Sequence, residues 1–364
     1  MVACRLPTNR SINPLRTKGV FLARIGILTG GGDCPGLNAV IRAAVRKGVE
    51  VHGHAIIGFK NGWRGVLDGA VMELTPQSAR GILHRGGTIL GTSRTNPFSV
   101  DGGLDVVKQN LAAYNIDGLI VAGGEGTLAC SARMVREGVN VIGVPKTIDN
   151  DLAATDFTFG FDTAVQIATD AIDRLHSTAE SHARVMMLEV MGRNAGWIGL
   201  YSGLAGGADV ILIPEHPFDI NEVCRHLRHR HAVGHLFSIV VVAEGAVPAP
   251  GTMELPPYQA DEFGRPRLGG ISNVIAEEIQ KRTGFDTRVT ILGHVQRGGT
   301  PTAFDRVLAT RFGVAAIDLA SAEEWGRMVA LRGTEIVSVP LDDAVAELKV
   351  VPEELYRVAE VFFG

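Results

Sequence analysis

Arg24-Ile-Gly-Ile-Leu-Thr-Gly-Gly-Gly-Asp-Cys-Pro-Gly-Leu-Asn38 runs from an apolar segment through three consecutive glycines into an amphipathic one. Arg24 to Leu28 reads as a β-strand and Leu37 to Val49 as the helix that follows it. Glycines at such a junction let the backbone come close to a phosphate and aim its N–H groups at it. Pro35 and Asn38 suit the opening of a helix. The spacing is neither that of a P-loop nor the GxGxxG of a dinucleotide site. A tight strand-to-helix turn without a ligand is the structural alternative.

The same alternation continues along the chain. Gly118–Ala122, Val141–Val144, Val185–Val190, Val210–Ile213, Phe237–Ala243 and Val289–Leu292 read as strands, with helices over Thr127–Glu137 and Asp162–Ala179 between them. Apolar β-branched runs bounded by Gly or Pro and separated by helices predict an α/β fold with parallel sheets buried on both faces. Forty-five of the 364 residues are glycine, well above the roughly 7% average usage. They collect at the ends of the strand-like runs, where doubly wound folds bind ligands.

Composition narrows the function classes. With 35 basic and 39 acidic residues the net charge is −4, so the basic excess of a nucleic-acid binder is missing. An anionic ligand must then be met by local Arg, Lys and backbone N–H groups. Cys4, Cys34, Cys130 and Cys224 are scattered without a CxxC pair, which fits reduced thiols in the cytoplasm. Apolar runs such as Ile239–Ala243 are strand-sized, so no membrane span is expected. Residues 1–22 carry Arg5, Arg10, Arg16 and Lys18 without an apolar core and are expected to be a disordered extension. Residues 245–270, rich in Pro and Gly, read as an exposed excursion.

Three further constellations carry chemistry. Gly123-Gly-Glu-Gly-Thr127 follows a strand and suits a phosphate cradle with an acid, Glu125, facing Mg²⁺. Helix capping by Glu125 is the simpler alternative. Pro145-Lys-Thr-Ile-Asp-Asn-Asp151 gathers two carboxylates, a hydroxyl and an ammonium. If extended, it would turn Thr147, Asp149 and Asp151 to one side, where one acid could take a proton from an attacking hydroxyl. Arg184, Met191, Gly192, Arg193, Glu244, Arg288 and His294-Val-Gln-Arg297 form the third. Arg193, Glu244 and His294 each follow a strand's carboxyl end, and arginines bind phosphate bidentately. His226 and His229 lie among arginines that would repel a cation, and they read as a solvated helix face.

Taken in order, GGGDCPGLN (30–38), GGTILGTSR (86–94), GGEGTL (123–128), PKTIDND (145–151), EVMGRNAGW (189–197) and LGHVQRGGTP (292–301) resemble the phosphofructokinase family. The likeness extends from Arg24 to the C-terminus. It implies two Rossmann-like domains with the active site in the cleft between them. Residues 23–160 plus 296–346 would form the phosphoryl-donor domain, and 161–295 plus 347–364 the fructose-phosphate domain. By the same resemblance Gly32, Arg94, Thr95, Gly124, Glu125, Gly126 and Thr127 would hold the nucleotide, with Glu125 as the Mg²⁺ ligand. Asp149 would be the base for the sugar 1-hydroxyl, with Thr147, Asp151 and Arg193 beside it. Thr147, Ile148, Asp149, Met191, Gly192, Arg193, Glu244, His294, Val295, Gln296 and Arg297 would hold fructose 6-phosphate. Arg184 and Arg288 would reach its 6-phosphate from a neighbouring subunit, implying a homotetramer or at least a homodimer.

The donor signals are mixed. Pyrophosphate users in the family tend to carry Asp at the position of Gly126 and Lys at that of Lys146, whereas ATP users usually have Gly at both. Here Gly126 leaves room for a nucleotide's α-phosphate, and Lys146 excludes nothing. ATP is therefore the expected donor and pyrophosphate the alternative. Residues 232–236 lack the lysine of regulated bacterial members, so weak response to nucleoside diphosphate or phosphoenolpyruvate is expected. Lipid and NAD kinases share the GG-acid-G-T loop but lack PKTIDND and HVQRGG. A silent sugar-phosphate-binding subunit would be expected to lose Asp149 or Arg193, and both are present.

Overall fold

A computed structural model describes residues 22–255 and 268–363. The expected N-terminal extension, Leu22 excepted, and residues 256–267 of the excursion at 245–270 lie outside the described residues. The strands are β1 (Arg24–Thr29), β2 (Ala55–Phe59), β3 (Val71–Leu74), β4 (Gly118–Gly123), β5 (Val141–Thr147), β6 (Phe159–Gly160), β7 (Val185–Val190), β8 (Val210–Leu212), β9 (Ser238–Ala243), β10 (Thr287–Ile291), β11 (Arg327–Arg332) and β12 (Glu335–Pro340).

These strands make two sheets. The first runs β12-β11-β5-β4-β1-β2-β3, with β6 added to β5, and the second runs β10-β7-β9-β8. Pairing is parallel throughout the second sheet. In the first, only the outer β2–β3 and β11–β12 pairs are antiparallel. Strands β4, β5, β7 and β9 are buried along their whole length, as a parallel sheet covered by helices on both faces requires. The mixed α/β, mostly parallel architecture read from the sequence is the one observed.

The strand order also fixes where a ligand can sit. From β1 the chain moves outward to β2 on one side, then returns to place β4 on the other. This reversal opens a crevice at the carboxyl ends of β1 and β4, the usual ligand position in such sheets. In the second sheet β7 lies between β10 and β9, so the segments following these three strands are neighbours.

Two long helices join the sheets, and their N-termini cap one another. Helix Phe161–His182 begins beside helix Ala303–Ser321. Buried Asp305 accepts the backbone N–H of Thr163 at 2.8 Å, and Thr302 Oγ1 donates to Asp162 Oδ2 at 2.6 Å. Thr302 also accepts from Asp305 N at 3.3 Å as the N-cap of its own helix.

Candidate active site

Three segments at the carboxyl edge of the first sheet come together. After β1, Gly30 N donates to Ala122 O at 2.9 Å, tying the first glycine loop to β4. Gly31 N donates to Ser93 O at 2.9 Å, and Thr92 Oγ1 donates to Gly31 O at 2.6 Å. These bonds hold residues 92–95 along the loop, with exposed Arg94 and half-buried Thr95 at its lip. Asn38, read from sequence only as a helix opener, is buried and has a second task. Its amide donates to Arg85 O at 3.0 Å and accepts from Ile89 N at 2.9 Å, anchoring the start of that segment.

After β4, Gly124 caps helix Glu125–Arg136, and Glu125 and Gly126 are exposed on its first turn. Thr127 is turned inward. A Cβ on Gly30 would lie 2.7 Å from Thr127 Cγ2, and one on Gly123 only 2.4 Å away. These two glycines therefore exist to let the loops close over Thr127, whose first duty is packing. Gly126 differs, because a Cβ there would meet nothing within 4 Å. The fold leaves that space open.

At the end of β5, Lys146 is buried and its ammonium donates to the Gly32 carbonyl beneath the first loop. Burial pulls Lys146 below the ordinary lysine range, and the charges of Asp149 and Asp33 partly oppose this. The acids beyond it do not converge by strand alternation. The chain turns at Thr147: Asp149 N donates to Thr147 Oγ1 at 3.1 Å, and Thr147 Oγ1 reaches Asp149 Oδ2 at 3.4 Å. Asn150 then takes a left-handed φ of 51°, with its side-chain carbonyl accepting from Thr158 N at 3.1 Å. Thr147, Asp149 and Asp151 still meet, around a turn instead of along one face. The side chain of Ile148 lies in the core, so it offers a substrate only its backbone.

The second sheet supplies the facing wall. Met191 N donates to Gln296 Oε1 at 2.7 Å, and Gly245 N donates to Gly192 O at 3.0 Å. Gly192 sits at φ 144°, where other residues are strained. Gln296 is completely buried, with its carbonyl on Met191 N and its Nε2 without a hydrogen-bond partner among the described residues, while His294 and Val295 are exposed on the same turn. Arg297 spans the gap between the sheets. A Cβ on Gly32 would lie 2.6 Å from Arg297 Nη1, which donates to Asp33 O at 3.4 Å.

Electrostatics join the two walls. Burial raises Glu244, the charge of Asp149 raises it further, and Arg193 and Arg297 pull it back. Asp149 from the first sheet and Glu244, Arg193 and Arg297 from the second therefore share one field. Asp151 is pushed up to about 7, first by burial and then by Asp149 and Glu125. Its Oδ1 is buried without a hydrogen-bond partner among the described residues. Crowded carboxylates and an unmatched oxygen are what a cation would relieve. Among the described residues no three His, Cys, Asp or Glu side chains form a ready-made metal cage. Mg²⁺ needs none, since one or two carboxylates suffice when phosphate oxygens and water complete its shell. The site fits Mg²⁺ brought with a phosphate.

Arg184 and Arg288 are placed elsewhere. Arg184 precedes β7 and Arg288 pairs with Met186 near the start of β10, at the opposite edge from Met191–Arg193. Asp286 holds both, through Arg184 Nε at 2.5 Å and Arg288 Nη1. Within one chain they do not join the site.

Known proteins resemble this chain over most of its length. The family described as phosphofructokinase matches residues 24–320. A pyrophosphate–fructose 6-phosphate 1-phosphotransferase of Amycolatopsis mediterranei is 59% identical over 94% of this chain and all of its own length. An ATP-dependent 6-phosphofructokinase of Mycobacterium leprae is 57% identical, with the same shares covered. Among solved structures, Pichia pastoris phosphofructokinase in the T-state superposes with a TM-score of 0.78 at 35% identity. That match covers 96% of this chain and 40% of the yeast chain. With a family match over most of its length and relatives well above half identical, the chain belongs to the phosphofructokinase family.

Proposed function

We propose that this protein transfers the γ-phosphoryl group of ATP to the 1-hydroxyl of fructose 6-phosphate, giving fructose 1,6-bisphosphate and ADP, the committed step of glycolysis, in the cytoplasm. The observation that carries the reading is the placement of Asp149. It stands beside Thr147 at the end of β5 and shares a field with Glu244 across the gap, so a sugar alcohol bound there faces the glycine loops. Asp149 accepts the hydroxyl proton as the oxygen attacks the γ-phosphorus in line, and ADP leaves. Gly32, Arg94, Thr95 and Gly124–Thr127 line the donor side. Met191, Gly192, Arg193, Glu244, His294 and Arg297 line the sugar side. Mg²⁺ would be held by Glu125 and would offset charge on the donor phosphates. Arg184 and Arg288, paired on Asp286 and remote from their own site, serve the 6-phosphate of a neighbouring subunit in a homotetramer.

ATP is preferred because the open space above Gly126 suits an α-phosphate, and because Lys146 already has a structural task beneath Gly32. Pyrophosphate is the second reading. The buried Lys146 cation adjoins the donor loop, and relatives 58–59% identical are named as pyrophosphate enzymes. Initial rates with ATP–Mg and with pyrophosphate–Mg, measured side by side, separate the two. The expected result is a kcat/KM for ATP at least about ten times that for pyrophosphate, a 1.4 kcal/mol preference. The reverse order would establish the second reading.

A further inference from the structure

The chain's return at residues 348–351 touches both walls of the site. Leu348 bridges to Leu152, and Lys349 N donates to Asp151 O at 3.0 Å, continuing the acid turn. The Lys349 side chain then closes on the next stretch. Its ammonium donates to Thr155 O at 3.0 Å and to Asp156 O, and lies 5.0 Å from the ring centroid of Trp197 and 5.8 Å from that of Phe157. From the other wall, Trp197 Nε1 donates to Lys349 O at 2.9 Å. Trp197 opens the helix directly after Arg193-Asn-Ala-Gly196. Glu215 completes the tie by accepting from Gly196 N at 3.0 Å and from Val351 N at 2.9 Å.

We infer that Lys349 is a positioning residue for phosphoryl transfer: it straps the Asp149–Asp151 turn to the Arg193 loop and so sets the distance between base and sugar site. The inference rests on Asp149 acting as the base. None of these contacts reaches the donor loops at Gly32 and Glu125, so the strap governs alignment and not nucleotide binding. A half-buried ammonium held by two carbonyls and two aromatic faces is costly to displace. The strap is therefore stiff, and a misplacement of 1 Å at a reacting centre costs on the order of 10²-fold in rate.

The test is Lys349→Met, which keeps the apolar stem and removes the charged donor, measured beside Lys349→Arg and Asp149→Asn. The expected result for Lys349→Met is a kcat lowered on the order of 10–100-fold, with KM for the phosphoryl donor within about two-fold of the parent. Lys349→Arg, which retains the cation, should recover most of the loss. A kcat within about two-fold of the parent, or a loss spread equally over kcat and the donor KM, would overturn the inference. If Lys349→Met does not fold, Trp197→Phe decides. It removes the bond to Lys349 O and shrinks the ring face under the ammonium while leaving the lysine in place, and it must give the same kcat-selective loss or the strap is refuted. Asp149→Asn separates the two levels. Full turnover there sinks the base assignment, whereas its loss beside an unaffected Lys349→Met sinks the strap alone.

Discussion

On the proposed reading, donor choice turns on the side chain that Gly126 lacks. Because a Cβ there meets nothing within 4 Å, Gly126→Asp should fold normally. An acid in the first turn of a helix is even mildly favoured, so stability should stay within about 0.5 kcal/mol. Any change in activity then belongs to the ligand. The carboxylate would occupy the space left for an α-phosphate and repel it, a penalty of several kcal/mol when like charges are pressed together. Expected is a fall of about ten-fold or more in kcat/KM for ATP with pyrophosphate use spared, read from initial rates with each donor. An undiminished ATP rate would remove Gly126 from the argument. At this scale the sequence was legible in residue types and less so in geometry. The acids of PKTIDND were visible, but their convergence depends on a left-handed Asn150 that no alternation rule anticipates. That the side-chain carbonyl of Gln296 also holds the backbone of Met191, 105 residues away, is visible only in the fold.

At the scale of elements, strands such as β4, β7 and β9 were legible because burial on both faces makes them almost wholly apolar, with Glu189 in β7 and Ser238 in β9 the buried polar exceptions. The β11–β12 hairpin was not read, because β12 is half-exposed and mixes polar and apolar residues without a clean period. Asp305 escaped notice for a different reason: its partner Thr163 is 142 residues away in sequence. It caps the helix that leads from one sheet to the other, so its loss should be felt as stability. Burial raises its pKa from 3.8 to about 6, against the opposing hydrogen bonds of Thr163. Being raised above the unfolded value, the carboxyl binds its proton more tightly in the folded state. Asp305 therefore contributes stability below about pH 4, and this is lost as pH rises through about 6. The loss is at most about 3 kcal/mol for a two-unit shift. Asp305→Asn should lack this decline, which guanidinium midpoints of both proteins between pH 4 and 7 would reveal. Identical pH dependence in the two would show that Asp305 does not titrate in that window.

At the scale of the whole molecule, the proposed reading puts the base and most of the sugar site in one chain, while Arg184 and Arg288 lie at the opposite edge of the second sheet. Arg184 and Arg288 share a single carboxylate, Asp286, so the trio keeps a net positive charge at the far edge of the second sheet. An isologous pair of chains could place that charge in a neighbour's site, since each patch meets its copy reciprocally. The consequence can be measured without a structure of the assembly. Asp149→Asn removes the base from its own site, and Arg288→Ala removes an arginine donated to the neighbour. In a mixed pair, one site has lost both groups and the other has kept both. Two proteins that are each nearly inactive should therefore regain activity when co-expressed. Random pairing makes half the pairs mixed, with one working site in two, so about a quarter of the parent turnover should return. Sites confined to single chains would give only the average of the two variants. Recovery near a quarter would thus locate the 6-phosphate between subunits, and its absence would return Arg184 and Arg288 to a structural role around Asp286.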